Sequence, residues 1–303
     1  MAHKPAFRFG ELQVEKEIPV KISSSFLPGE TRMARKVNKV RLAQQQGRIA
    51  FGTWVQIGSP EVVEAAGYQG YDFVIIDMEH GQFGFDTVPS MVRAAESADV
   101  TPVVRVPGVE ETIILKVLDT GAMGVLVPGI STREQAEKAV RAAKYGPIGI
   151  RGACPWTRAT EYNVQDWAAH VKWSNEETMA WLLVEGKEGA ENFDEILKVP
   201  NIDALMMGPF DLSQSLGVPG QLDHPLVVET LKTMVSKAKA RDVSMIAVML
   251  SEITTEQIQA STRRWRDLGC RLMTVGGDRA LLTTGFKKCL ADARAAIELA
   301  AKK

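Results

Sequence analysis

One stretch, residues 73–81, constrains the fold of this chain more than any other. Four apolar residues, three of them β-branched, run from Phe73 to Ile76 and are followed by Asp77, Glu79 and His80. This pattern is typical of a strand that is buried on both faces and carries polar side chains at its C-terminal end. Parallel α/β folds build their active sites at such strand ends. The stretch therefore predicts a parallel α/β fold with its chemistry at one edge of the sheet.

The same design recurs along the chain. From about residue 49 onward, apolar strand-like segments alternate with helix-like segments, which gives about eight strand–helix units, the number in a (β/α)8 TIM barrel. An open doubly wound sheet is the alternative, but Gly58-Ser59-Pro60 is not the Gly-rich phosphate turn expected after its first strand. We predict an irregular extension over residues 1–34 and a single TIM-barrel domain over 35–303, opening with a helix at 35–47. Ser131–Glu134 is predicted to be a capping box that starts a later helix.

Composition and charge exclude several classes of protein. A formal net charge of −1 gives no basic field for nucleic acid or an anionic membrane, and no apolar run approaches membrane-spanning length. The three cysteines, Cys154, Cys270 and Cys289, are widely spaced and odd in number, which fits a reducing compartment. The charged N-terminal stretch is unlike a secretory signal. We predict a cytoplasmic protein that acts on small molecules.

Several predicted strands end in polar groups that a closed barrel would bring to one mouth. They are Asp77, Glu79 and His80 after the second strand, Arg105 on the third, Glu185 after the fifth and Asp211 after the sixth. Two carboxylates are a minimal oxygen site for a hard divalent cation, with Mg²⁺ as the first choice and Mn²⁺ or Co²⁺ as alternatives. Such a cation can bind a 2-oxo acid and stabilise its enolate.

Two other groups at this mouth, Arg105 and His80, could take part in the chemistry, but either could also have a purely structural role. Arg105 is a permanent cation suited to an oxyanion, and His80 can carry a proton near neutral pH. Each has a structural alternative: a histidine after a strand is usually structural, and Arg105 could be a structural arginine that pairs with a carboxylate. Asp211 could likewise cap the next helix. A Schiff-base mechanism would need a lysine in the mouth, and Lys187 is the only near candidate.

The ordered motifs of this chain resemble those of the HpcH/HpaI aldolase/citrate lyase family, in its metal-dependent class II pyruvate aldolase branch. The motifs are Asp77-x-Glu79-His80-Gly81, Pro102-Val103-Val104-Arg105, Leu126-Val127-Pro128, Gly149-Ile150-Arg151-Gly152, Glu185 and Gly208-Pro209-Phe210-Asp211-Leu212-Ser213. The resemblance covers about residues 48–290 and implies a TIM barrel that assembles as a homo-hexamer, a trimer of dimers with the last helix exchanged. It also implies a divalent metal and reversible cleavage of a 4-hydroxy-2-oxo acid, of the 4-hydroxy-2-oxoheptanedioate type, to pyruvate and an aldehyde.

The resemblance also implies roles for individual residues. Glu185 and Asp211 match the metal ligands, His80 matches the general base, and Arg105 matches the residue that stabilises the enolate. Asp119 matches an acid that raises the basicity of the histidine. However, the end of a barrel helix lies on the face opposite the active site, so Asp119 could reach His80 only in an unusual arrangement or from a neighbouring subunit. Asp77 is the locally simpler partner of His80.

The chain departs from the family pattern where substrate is bound. Leu183 stands where the family often has Gln, and the bulky Phe210 replaces a small residue before the metal Asp. With Gly208 and Pro209, these are the predicted substrate-binding residues. The departures leave open a macrophomate-synthase-like enzyme that couples oxaloacetate decarboxylation to C–C bond formation. Two further alternatives are a non-catalytic barrel that binds a 2-oxo acid and a CoA-ester lyase.

Overall fold

The computed structural model describes residues 36–250, 252 and 254–301, with side chains as far as residue 297. The predicted extension over residues 1–34 lies outside this part. The helix predicted at 35–47 is α1, Lys39–Gln45. Asn38 caps it by accepting the backbone N–H of Val40, while its amide donates to the carbonyls of Met123 and Glu177. These bonds tie the start of α1 to the end of the barrel where the strands begin.

Eight strands form the sheet in the described part of the chain. They are β1 Ala50–Val55, β2 Phe73–Asp77, β3 Thr101–Arg105, β4 Gly124–Val127, β5 Met179–Val184, β6 Ala204–Met207, β7 Met245–Met249 and β8 Leu272–Gly277. The helices between and after them are α2 Pro60–Tyr68, α3 Val88–Ser97, α4 Glu111–Asp119, α5 Arg133–Ala143, α6 Trp167–Glu177, α7 Lys187–Glu191, α8 Phe193–Ile196, α9 Pro209–Ser215, α10 Pro225–Ala240, α11 Thr255–Leu268 and α12 Asp278–Ala301.

All neighbouring strands are parallel, and β8 pairs with β1 to close the barrel. The predicted TIM barrel is therefore confirmed. Closure brings the C-terminal ends of all eight strands to one mouth, as the sequence predicted. The register also sets neighbours: Asp77 on β2 pairs directly with Arg105 on β3.

Two apolar layers hold the barrel together. Side chains that point inward, such as Phe73, Ile75 and Trp181, fill its interior, and the outward-facing set packs against the surrounding helices. Phe73 and Trp181 meet edge to face with their ring centroids 5.2 Å apart. The Phe73 ring lies only 2.1 Å from where a Cβ on Gly52 would stand, so β1 needs a glycine there. This packing fills the barrel interior below the mouth.

One local prediction differs from the structure. The capping box is formed by Thr132 and Gln135, one residue later than the predicted Ser131–Glu134. Gln135 Oε1 accepts the backbone N–H groups of both Ser131 and Thr132, which fixes the N-cap at Thr132. The segment after β6 is also a helix, α9, in which Pro209 lies in the first turn. None of the helices in the described chain is long and apolar enough to cross a bilayer.

Candidate active site

The centre of the barrel mouth is an ion pair between the ends of β2 and β3. Arg105 Nε donates to Asp77 Oδ1 at 2.8 Å, and Arg105 Nη2 donates to Asp77 Oδ2 at 2.6 Å. The Asp77 side chain is fully buried, and the guanidinium lies over the Trp54 ring, 4.5 Å from its centroid. Burial alone would raise the pKa of Asp77, but the hydrogen bonds and charge of Arg105 outweigh this and hold that pKa below its usual value. Both groups stay charged, and Arg105 is fixed in place.

The same carboxylate shapes the turn that carries His80. Asp77 Oδ1 accepts the backbone N–H groups of Glu79 at 3.0 Å and His80 at 3.2 Å. Gln56 Nε2 donates to the other oxygen, Oδ2, at 2.8 Å. Asp77 therefore positions the backbone of His80 and the side chain of Arg105, while the imidazole of His80 is exposed at the mouth.

Glu79 is a further acid in this cluster. Its Oε2 lies 2.8 Å from Arg105 Nη1, in an ion pair whose geometry is not that of a directed hydrogen bond. Burial raises the pKa of Glu79; the charges of Arg105 and His80 oppose this rise, and those of Asp77 and Asp211 add to it. Arg105 thus faces two carboxylates at once.

Glu185 and Asp211 bring more negative charge to the neighbouring part of the mouth. Glu185 follows β5, and its Oε1 accepts the backbone N–H of Gly129 at 3.0 Å. The pKa of Glu185 is raised to about 7, chiefly by burial and also by the charges of Asp211 and Glu79, against the opposing effects of the Gly129 hydrogen bond and Arg105. Asp211 lies in the first turn of α9 and is exposed. Arg105 forms its ion pairs with Asp77 and Glu79 rather than with these two acids.

The predicted substrate-binding residues lie around this carboxylate pair. Gly208 packs so closely on Glu185 that a Cβ there would stand 2.9 Å from Oε2. Leu183 is 2% exposed and belongs to the barrel interior, so it forms a floor below Gly208. Pro209 is half-buried, whereas Phe210 is 61% exposed. Among these residues, Phe210 is the apolar side chain most open to a bound molecule.

Comparison with known proteins assigns this arrangement to a family. The model of the HpcH/HpaI aldolase/citrate lyase family matches residues 50–276, from the first strand to the end of the last. The chain belongs to the HpcH/HpaI aldolase/citrate lyase family. The resemblance drawn from its motifs is thereby confirmed, and so is the prediction of an aldolase-type carbon–carbon lyase.

Individual relatives span nearly the whole barrel. The hydroxypyruvate/pyruvate aldolase of Roseobacter denitrificans is 34% identical over 261 residues, which covers 84% of this chain and 96% of the relative. The 5-keto-4-deoxy-D-glucarate aldolase of Citrobacter koseri is 32% identical over 259 residues, with the same two coverages. The crystal structure of macrophomate synthase superposes with a TM-score of 0.75 at 28% identity, covering 86% of this chain and 89% of that one.

The carboxylate pair suits the divalent metal expected in this HpcH/HpaI member. Two half-compensated carboxylates, one with its pKa raised to about 7, form a site that a hard cation would neutralise. Within the described residues, no three His, Cys, Asp or Glu side chains form a ready-made cage. Glu185 and Asp211 would therefore leave most coordination positions to water or substrate.

The structure does not bring Asp119 to this mouth. Asp119 ends α4 at the opposite end of the barrel, and its Oδ1 accepts a hydrogen bond from Arg151 Nη2 at 3.1 Å. Burial raises the pKa of Asp119, and the charge and hydrogen bond of Arg151 oppose that rise. Across the described residues, neither Asp119 nor Asp77 hydrogen-bonds the His80 ring. The proposed catalytic role of Asp119 stays a prediction that requires a second subunit.

The positions of Lys187 and Lys144 do not support a Schiff-base mechanism at the mouth. Lys187 is 61% exposed at the start of α7, where its Nζ lies 3.7 Å from Glu191. The buried lysine of the described barrel is Lys144, whose Nζ donates to the carbonyls of Asn175 and Thr178 at the end where the strands begin. Neither is placed to form a Schiff base with a substrate bound beside Arg105.

Sequence reasoning passed over three residues that shape the site. Trp54 lies under Arg105, Gln56 binds Asp77, and Asp278 accepts the backbone N–H groups that follow β1. Gln56 could have been predicted from the sequence, because it directly follows β1 just as Glu185 directly follows β5. Trp54 and Asp278 had no such signal, because their contacts depend on tertiary packing: Trp54 meets Arg105 on a different strand, and Asp278 binds a segment more than two hundred residues away in sequence.

Proposed function

We propose that this chain is a divalent-metal-dependent aldolase that cleaves a 4-hydroxy-2-oxo acid to a pyruvate-type acid and an aldehyde. The observation that carries the proposal is the partly buried Glu185 carboxylate, with its pKa raised to about 7, next to Asp211 and within the field of Arg105. A bound cation would supply Lewis-acid stabilisation to a 2-oxo acid substrate. Glu185 and Asp211 would hold that cation.

The chain's own residues would perform the remaining chemistry. His80 accepts the proton of the C4 hydroxyl, directly or through water, as the C3–C4 bond breaks. The bonding electrons move into the C2–C3 enolate while the C4 oxygen becomes the aldehyde carbonyl. Arg105, held in place by Asp77, stabilises the oxyanion of the enolate. Protonation of C3 then gives the methyl group of pyruvate.

The substrate proposal rests on the relatives' names and on the chemistry of those substrates. 5-Keto-4-deoxy-D-glucarate, numbered from its other carboxylate, is a 4-hydroxy-2-oxo diacid. It is therefore the first compound to test, ahead of 4-hydroxy-2-oxoheptanedioate. The relative named for hydroxypyruvate and pyruvate makes these two acids the donors to compare in the synthetic direction.

The test is release of pyruvate by purified protein that has been stripped of metal and then resupplied with Mg²⁺, Mn²⁺ or Co²⁺. We expect release to depend on added metal, to exceed a metal-only control and to disappear in Glu185→Ala and Asp211→Ala proteins that remain folded. Equal activity with a chelator present would refute the metal assignment. Metal and pyruvate binding without turnover of any substrate would favour the non-catalytic barrel.

A second candidate function is decarboxylation of oxaloacetate coupled to formation of a C–C bond. The fold similarity to macrophomate synthase and the exposed Phe210 ring beside Asp211 favour it. Loss of CO₂ from oxaloacetate leaves the same pyruvate enolate, so the same site serves both reactions. Efficient decarboxylation with no cleavage of any 4-hydroxy-2-oxo acid would favour this candidate over the aldolase.

A further inference from the structure

The loops that carry the site residues are joined by the first turn of the last helix. Two adjacent residues there, Asp278 and Arg279, make contacts with the segment after β1 and the segment after β2. We refer to these two residues as the α12 clamp. Asp278 is buried, whereas Arg279 lies on the exposed surface of the mouth.

Asp278 holds the segment after β1 from one side. Its Oδ2 accepts the backbone N–H groups of Gln56 at 2.9 Å and Ile57 at 2.7 Å. Its Oδ1 accepts the N–H of Arg279 at 2.7 Å, which begins the helix. A buried carboxylate with three N–H donors is a rigid support, because each bond is charge-assisted.

Arg279 joins the two segments to each other. Its Nη2 donates to the carbonyl of Gln56 at 3.1 Å, and its Nη1 donates to the carbonyl of His80 at 3.2 Å. The planar fork of an arginine suits this bridge between two carbonyls, which a lysine ammonium on its flexible stem matches less well. The backbone of His80 is thus held by Asp77 at its N–H and by Arg279 at its carbonyl.

We propose that Arg279 is a positioning residue, which holds the His80 backbone so that the imidazole meets the hydroxyl it deprotonates. The inference rests on the proposed aldol function, because it assigns the proton transfer to His80. Arg105 is positioned separately, by Asp77 and Gln56, and Asp278 still holds Gln56 when Arg279 is removed. Loss of the bridge therefore acts on proton transfer more than on enolate stabilisation.

Two reactions at one site separate these effects. Cleavage of a 4-hydroxy-2-oxo acid needs a base for the C4 hydroxyl, whereas oxaloacetate loses CO₂ to give the enolate without that proton transfer. General damage to the mouth would slow both reactions. Loss of His80 positioning alone would slow the first and spare the second.

The experiment compares Arg279→Met, which keeps the apolar stem, with Arg279→Lys and with Arg294→Met, the same substitution later on the same helix. Each protein is assayed with Mg²⁺ for cleavage of 5-keto-4-deoxy-D-glucarate and for decarboxylation of oxaloacetate, and its Tm is measured. For Arg279→Met we expect cleavage kcat to fall by about 10- to 100-fold. KM should stay within about threefold, and decarboxylation within about twofold, of wild type. Arg279→Lys should fall between these values, and Arg294→Met should match wild type.

Other outcomes have definite meanings. Unchanged cleavage in Arg279→Met, or equal losses in both reactions, would overturn the inference. So would a change confined to KM, which would make Arg279 a substrate-binding group. If the wild-type protein shows neither reaction, the proposed function itself fails, and that result is distinct from failure of the positioning role.

Discussion

At the scale of single residues, the mouth of this barrel is dominated by Arg105 and the charges around it. Its guanidinium contacts Asp77 and Glu79 and stacks on Trp54, so its position is fixed from three sides. A cation held in this way needs little reorganisation when an enolate forms, which is the condition for effective oxyanion stabilisation.

Replacement of Arg105 by alanine tests this role. We expect kcat for metal-dependent cleavage to fall by about two to three powers of ten, as is usual when an oxyanion-stabilising group is removed. Steady-state kinetics with a folded variant measures the effect. A rise in KM with kcat unchanged would instead make Arg105 a group that binds ground state and transition state equally.

The raised pKa of Glu185 predicts how the stability of the metal-free protein depends on pH. Its pKa of about 7 in the folded protein exceeds the usual 4.5, so the folded state holds this proton more tightly than the unfolded state does. This contribution to the stability of the metal-free protein is present at low pH and is lost as pH rises through about 7. The Glu185→Gln substitution keeps this side chain neutral at every pH. The Tm of the variant minus that of metal-free wild type should therefore increase from about pH 5.5 to pH 8.

With Mg²⁺ bound, the wild-type protein should gain stability, rather than lose it, as pH rises through about 7. The reason is that the cation binds the deprotonated carboxylate. Affinity for Mg²⁺ should fall about tenfold for each pH unit below about 7, and Glu185→Gln should lose the rise in Tm that Mg²⁺ gives wild type. Calorimetric titration and thermal denaturation measure both quantities. Metal affinity that does not change with pH would contradict the assignment of Glu185 as a ligand.

At the scale of elements, the strand-to-helix connections position the side chains of the candidate active site. The turn from β6 into α9 presses Gly208 against Glu185, and the turn after β5 begins with Gly186, which has open space around it. These two glycines lie near the same carboxylate but differ in what a methyl group would meet.

Gly208→Ala and Gly186→Ala are therefore a matched pair. The new Cβ at position 208 would lie 2.7 Å from the Glu185 Cβ and 2.9 Å from its Oε2, whereas at position 186 nothing other than the two chain neighbours lies within 4 Å. We expect Gly208→Ala to weaken metal-dependent turnover at least tenfold, since about 1 Å of displacement at a site can cost a hundredfold. Gly186→Ala should stay near wild type. Equal activity of the two variants would show that Glu185 tolerates the shift.

At the scale of the whole molecule, the two ends of the barrel do different work. The mouth collects acids and an arginine for chemistry, while the other end pairs a buried lysine with carbonyl groups and a carboxylate. Lys144, 2% exposed, donates to two carbonyls and lies 3.0 Å from Asp203, which also pairs with Arg41. This network joins α5, the start of β5, the segment before β6 and α1.

Loss of Lys144 should cost stability without touching catalysis. We expect Lys144→Met to lower the free energy of unfolding by about 3 kcal/mol, because the carbonyls and Asp203 lose a buried donor. Urea denaturation measures this, and Lys138→Met, on the exposed face of the same helix, is the control. Unfolding free energies that agree within about 0.5 kcal/mol would contradict a stabilising role for the buried lysine.

The homo-hexamer implied by the family remains a prediction. In the described part of α12, several apolar side chains are exposed on a single chain: Leu281, Leu282, Phe286, Leu290 and Ile297. Light scattering should give an oligomer for wild type, and Phe286→Glu should shift it toward smaller species if this helix lies at an interface. A wild-type monomer at micromolar concentration would contradict the predicted assembly.

Sequence alone determined the barrel and most of its mouth, because both follow from local patterns. Apolar strands that end in polar residues, repeated about eight times, predict a closed parallel sheet whose ends converge. Convergence then places Asp77, Arg105, Glu185 and Asp211 together without knowledge of any side-chain contact. The capping box shifted by one residue shows the limit of such patterns, since Gln135 and not the preceding acid completed the box.

Only the tertiary structure decided how these groups are supported. Asp77 binds Arg105, Asp119 pairs with Arg151 at the far end, and Arg279 reaches back to the turn after β2. These contacts join residues distant in sequence, and their choice depends on register, on side-chain length and on which neighbour is free. Local periodicity does not predict such pairings. The sequence therefore identifies the reactive groups, but not the side-chain contacts that hold them in position.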